Sequence, residues 1–268
     1  MCRVLGVARS TYYEVISRPF SKRQSRKNFL QKKILLFWRE SGKKYGAPKL
    51  HVLLQNEGYS LSLRTVSRYM KEINICSITV GKYRPVKSSG IIEERENLLE
   101  GDFTTESIHE KWCTDITYIH TVKDGWTYLA SVLDLHSRKI VGYAYGKNMT
   151  TELAVKAVQN ALFNTRPSSR VVLHSDLGTQ YTSDEFMSFT TTNNLLQSFS
   201  AKGNPYHNAP MESFHAILKK EEVHRKKYYD YQTAKRELFI FIEGWYNRKR
   251  IHSAIGYQTP HQAHRFIS

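Results

Sequence analysis

Three carboxylates and one lysine carry the chemistry that this sequence offers. Asp115 lies in Trp112-Cys113-Thr114-Asp115-Ile116-Thr117-Tyr118, and Asp176 in His174-Ser175-Asp176-Leu177-Gly178. Glu212 lies in Asn208-Ala209-Pro210-Met211-Glu212-Ser213-Phe214. Alone, each has an ordinary reading as a turn or capping residue. Brought together by a fold, they would repel one another and need a cation to stay charged at neutral pH. Two divalent ions about 3.5–4 Å apart would meet that need and clamp an in-line phosphoryl transfer. Hard oxygen ligands select Mg2+ or Mn2+, and the want of Cys/His pairs disfavours zinc. Sixty residues separate Asp115 from Asp176, and thirty-five separate Asp176 from Glu212. Lys219 follows Glu212 by seven positions, two helical turns, so both share one helix face.

The elements that must position these groups are legible in the hydrophobic pattern. Residues 112–120, 126–133 and 140–145 alternate and are β-branched, with turn-like residues between them, which predicts three antiparallel strands. Thr150 caps a helix over 151–163, and 171–173 is a short buried parallel strand ending just before Asp176. Ligand sites of mixed α/β sheets gather beyond such carboxyl ends. Ser183 caps another helix, 195–200 forms a fifth strand, a helix begins near Pro210, and a longer one covers 232–248. Pro210 fits a first helical turn, which places Glu212 near the positive end of that helix. The order β-β-β-α-β-α-β-α is that of an α/β ribonuclease H-like fold, a mixed five-stranded sheet with flanking helices. His174 and Asp134 read as structural residues.

Charge divides the chain. Its 268 residues carry 40 Lys+Arg and 24 Asp+Glu, a net of +16. Residues 1–100 hold 20 basic and 8 acidic side chains, net +12, whereas 101–268 hold 20 and 16, net +4. A basic first part favours a polyanionic partner, most simply nucleic acid. The pattern predicts a helix-turn-helix module over 25–75, with Leu50, Leu53 and Leu54 on one helix. Phe29, Ile34, Leu35, Phe37 and Trp38 form an apolar stripe before it. Ser62 caps the second helix, which turns Val66, Tyr69, Met70 and Ile73 inward and Arg64, Thr65, Arg68 and Lys71 outward. Residues 1–24 read as a partial helix-turn-helix or a tail, 76–104 as a linker, and 105–268 as the larger domain with a basic C-terminal helix. The run Trp245-Tyr246-Asn247-Arg248-Lys249-Arg250 suits DNA backbone, or else helix packing and solvation. No apolar run is long enough to span a membrane. Three scattered cysteines argue against a disulfide framework, so a reducing, cytoplasmic setting is expected.

The motifs WCTDITY, LDLHSRKIVGYA, LHSDLGTQY, KGNPYHNAPMESFHAILKKE and WYNRKRIHSAIGYQTP occur in order through the last part of the chain. They resemble the DDE transposase/integrase superfamily, in particular the second reading-frame product of bacterial insertion sequences with a retroviral-integrase-like core. YGAPKLHVLLQNEG and LRTVSRYM resemble that family's upstream helix-turn-helix. The resemblance implies that Asp115, Asp176 and Glu212 hold two Mg2+ (or Mn2+) ions and that the site cuts element ends and joins the 3′-hydroxyl to target DNA. It implies that Lys219 meets DNA phosphate. Arg64, Arg68, Arg248, Lys249 and Arg250 are the further expected DNA contacts. It also implies a homo-oligomer on DNA and an upstream reading-frame product as partner, since a frameshift commonly fuses the two. The partial helix-turn-helix near the start fits a chain that begins inside a larger design. Many family members have Asp where His207 stands, which puts any auxiliary role of that side chain in doubt. A non-catalytic DNA-binding regulator and a nuclease that hydrolyses without joining are the competing functions.

Overall fold

The structure, a computed structural model, describes residues 2–4, 6–17, 21–78, 96–200 and 208–265. It divides into two compact units, Met1–Ile78 and Thr79–Ser268.

In the first unit, α1 (Arg9–Ser17) precedes α2 (Lys22–Glu40), α3 (Ala47–Asn56) and α4 (Leu63–Glu72). Ser21 and Ser62 cap α2 and α4, each accepting the backbone N–H three residues on. Pro48 occupies the first turn of α3. Leu30 and Ile34 of α2 meet Leu50, Leu54, Val66 and Met70 in a small buried core. Phe29, expected in that stripe, is 47% exposed, because the buried face of α2 runs through 30 and 34. Arg64, Arg68 and Lys71 project from the exposed face of α4.

The expected linker is shorter at both ends than its sequence suggests. Residues 76–78 belong to the first unit: the Trp38 indole donates to the Cys76 carbonyl, and Ile78 N–H to that of Lys43. Residues 96–104 belong to the second, where Leu99 is buried in the main core and Phe199 N–H donates to the Glu96 carbonyl. Residues 79–95 lie outside the described residues.

The second unit is built on β1 (Lys111–Thr121), β2 (Gly125–Asp134), β3 (Ile140–Gly146), β4 (Val171–Ser175) and β5 (Leu195–Phe199). They form one sheet in the order β3-β2-β1-β4-β5. The β1–β2 and β2–β3 pairs are antiparallel, and β4 is parallel to both β1 and β5. This is the mixed five-stranded, ribonuclease H-like sheet. One face carries α5 (Thr151–Thr165), α6 (Thr179–Thr182) and α7 (Asp184–Thr192) over Trp112, Val132 and Leu173. The other carries α8 (Ala209–Glu221) and α9 (Tyr231–Phe239) over Cys113, Ile119 and Leu133. The expected caps Thr150 and Ser183 bond as N-caps of α5 and α7. Gly142 is required where α5 crosses β3, since a Cβ there would meet Ala161 N at 2.4 Å and Ala157 O at 2.5 Å. The helix expected over 232–248 is regular only to Phe239. It continues as a wider π-helical stretch, Ile240–Tyr246, in which Asn247 N–H reaches back five residues to the Ile242 carbonyl. A final helix, α10 (Pro260–Arg265), closes the described chain. No helix of the described residues is long and apolar enough to cross a membrane.

Candidate active site

Strand register brings the first two carboxylates level. The parallel β1–β4 ladder pairs Lys111 with Val172, Trp112 with Leu173 and Cys113 with His174. Continued by two residues, the same register sets Asp115 beside Asp176, just past the carboxyl end of β4. Two-residue periodicity turns Asp115 to the same side as Cys113, the side covered by α8. Glu212 lies in the first turn of that helix, where the helix dipole favours a negative charge.

The electrostatics record the meeting. Asp115 is part-buried, and its carboxyl is pushed up to about 8, first by desolvation and then by the negative charge of Asp176, with Glu212 adding to it. Ile116 N–H, donating to Asp115 Oδ1 at 2.7 Å, and the Lys219 ammonium pull the other way. The Asp176 carboxyl is also raised, by the protein packed around it. It accepts Gly178 N–H at 3.0 Å, and a Cβ on Gly178 would approach Asp176 Oδ1 to 2.9 Å, so glycine lets the loop fold under this carboxylate. Uncompensated repulsion among hard oxygen donors is what a divalent cation relieves, so the donor set fits Mg2+ or Mn2+. Among the described residues, no three His, Cys, Asp or Glu side chains already close into a cage around one point.

Two further residues complete the setting. His215, buried one turn after Glu212, lies with Nδ1 3.5 Å from Asp115 Oδ2. Burial, reinforced by Lys219, holds its imidazole down to about 3, so it is neutral at physiological pH. Sequence reading passed over His215, although its place three residues after Glu212 and four before Lys219 was a signal. Lys219 stands over the Tyr118 ring, 4.3 Å from its centroid. His174 is structural: its ring nitrogens meet Ser198 Oγ and Ser200 Oγ at 2.9 and 3.1 Å. Asp134 is fully buried and accepts from His109 N–H and from both the N–H and hydroxyl of Ser137, as a turn-forming residue does. His207 lies outside the described residues.

Arg250 departs from expectation. It is buried, its guanidinium paired with Glu221 at 3.0 Å and set against His252. The chain turns inward after the π-helical stretch, so this arginine ties α8 to the C-terminal segment and cannot face DNA. Arg248 and Lys249 remain on the surface.

Residues 25–83 match the HTH-like domain family, and residues 106–205 and 193–260 each match an integrase core domain family. Over 266 residues the chain is 37% identical to the transposase InsF for insertion sequence IS3 of Escherichia coli (strain K12), covering 98% of this chain and 92% of that one. The chain belongs to the IS3 transposase family. This transposase is also 34% identical over 261 residues to a 31 kDa protein of insertion element IS600 from Shigella sonnei, covering 97% of this chain and 96% of the relative. Fold comparison returns a simian T-cell lymphotropic virus intasome at TM-score 0.49 and 17% identity, covering 82% of this chain and 71% of that one. It also returns the HTLV-2 integrase catalytic core domain in complex with magnesium at TM-score 0.46 and 17% identity, covering 60% and 100%. As a member of this family, the IS3-type transposase is a polynucleotidyl transferase that acts on DNA, with a helix-turn-helix-like segment ahead of an integrase core.

Proposed function

We propose that Asp115, Asp176 and Glu212 are the catalytic carboxylates of this transposase and that together they hold two divalent ions, Mg2+ or Mn2+. The observation that carries the reading is the raised Asp115 carboxyl, whose cause includes the charges of both other members. Bound metal would supply Lewis-acid activation of the attacking oxygen and charge relief at the leaving oxygen. The chain's own groups do the rest. Neutral His215 stands beside Asp115, with Nδ1 3.5 Å from Oδ2, without adding a competing cation. Lys219 presents an ammonium to the phosphate backbone beside the site. Arg64 and Arg68 on α4, with Arg248 and Lys249 on the second unit, meet further phosphates and hold the duplex by charge. Cleavage at the element end frees a 3′-hydroxyl, which attacks a target phosphodiester. One phosphodiester replaces another, so no nucleotide hydrolysis is needed.

The chain acts as a homo-oligomer in this reading, because two element ends must be joined together, and an upstream reading-frame product supplies sequence-specific end recognition. A labelled element end incubated with the protein, target DNA and Mg2+ tests the reaction class. Products longer than the substrate are expected. Shortened products alone would mark a nuclease and overturn joining.

A further inference from the structure

Beyond the carboxylates, the second unit carries an aromatic and basic groove of which the reaction so described uses only Lys219. Strand alternation puts Tyr118, His120 and Trp126 on one face of the β1–β2 hairpin, His120 and Trp126 being direct cross-strand partners. Trp126 is 55% exposed and Tyr118 43%. The rings of Tyr118 and His120 stand nearly perpendicular to the Trp126 ring, with centroids 5.3 and 5.0 Å away, and about half of the indole stays exposed. Residues of α8 and the segment after it form the opposite wall, with Lys219, His224 and Lys227 at the rim. The hollow between is about 500 Å3. Its frame is fixed: Val122 and Lys123 N–H groups donate to the carbonyls of Tyr228 and Tyr229 at 3.0 and 2.8 Å. Lys226, also in the wall, is paired with Glu222 and Glu237, while Lys227 is exposed at the rim.

Exposed large aromatics side by side are unusual on a surface and mark a place where something stacks. Aromatic faces flanked by lysines suit unpaired nucleotides, whose bases stack without sequence preference while the phosphates meet the cations. A hollow of this size holds a group of nucleotide dimensions but not a double helix. The groove shares Lys219 with the neighbourhood of the carboxylates: the ammonium stands over the Tyr118 ring, on the helix that carries Glu212. We infer that the Tyr118–His120–Trp126 groove binds unpaired DNA, the frayed nucleotides of the end being processed, and stacks a base on Trp126. The inference rests on the reading of Asp115, Asp176 and Glu212 as the catalytic site.

The test is binding by the full chain, read by fluorescence anisotropy, to a labelled single-stranded oligodeoxynucleotide and to a duplex of the same sequence. Trp126→Ala should weaken single-strand binding about tenfold or more and change duplex binding by less than about twofold. Trp126→Phe should restore single-strand affinity to within about threefold. Unchanged single-strand binding, or equal loss on both DNAs, would overturn the groove. In the unsubstituted protein, a strand carrying a photoreactive base should cross-link to the hairpin spanning 118–126, and cross-links confined elsewhere would also overturn it. These assays read binding alone. Their failure leaves the catalytic carboxylates standing, and strand transfer that survives loss of a carboxylate would remove the catalytic reading while the groove measurements stood.

Discussion

The Asp115 carboxyl is raised to about 8 by burial and by the charges of Asp176 and Glu212, a cost that a bound divalent cation would relieve in the proposed reading. The sign of the effect is testable. Because the folded value is raised, the protonated group's contribution to stability is complete below the unfolded value of 3.8 and is lost as pH rises through about 8. Asp115→Asn removes the charge and keeps the shape. Without metal, its melting temperature should exceed that of the native chain by a gap that opens above pH 4 and levels off above pH 8, at roughly 10 °C or more. Added Mg2+ at pH 8 should raise the native melting temperature and leave that of the variant where it was. A gap independent of pH, or an equal Mg2+ response in both proteins, would contradict this account of Asp115. The three carboxylates were legible as residues because each sits in a run with strand or helix-start character. Their mutual repulsion was legible too, but the burial that raises Asp115 most was not, since desolvation depends on neighbours that sequence does not place.

Elements set the division between cations left at the surface and cations that hold the fold. The run 248–250 reads as uniform in sequence, yet the π-helical stretch before it changes the phase of the chain. Arg248 and Lys249 emerge at the surface, and Arg250 turns under to Glu221. Removing one partner of a buried pair leaves the other charge uncompensated, at a cost of about 3 kcal/mol or more. Arg250→Ala should therefore lower the melting temperature by about 10 °C, whereas Arg248→Ala and Lys249→Ala should shift it little and flatten the salt dependence of DNA binding. Arg250→Ala melting as the native chain does, with reduced DNA affinity as its only effect, would contradict the assignment. The first three strands were readable from alternation, and β4 as a short apolar run, the mark of a strand buried on both faces. The π-helical widening was not, because an extra residue per turn is imposed by packing of Phe241, Ile242 and Tyr246 into the core rather than by any local propensity.

At the scale of the molecule, the +12 of residues 1–100 against +4 for the remainder now maps largely onto the two units. The helical unit displays Arg64, Arg68 and Lys71 on an exposed helix face. The integrase-core unit gathers like charges where its sheet ends. The proposed function rests binding and chemistry on different residues, and a single substitution should separate them. Asp176→Asn keeps the size of the side chain and an oxygen to accept the Gly178 N–H, but removes a charge that the metal requires. Strand transfer of a labelled element end in Mg2+ should fall by at least about a thousandfold in this variant, while its affinity for the same DNA in the absence of metal stays within about twofold of native. Strand transfer by Asp176→Asn at a rate near the native one would contradict the assignment of these carboxylates.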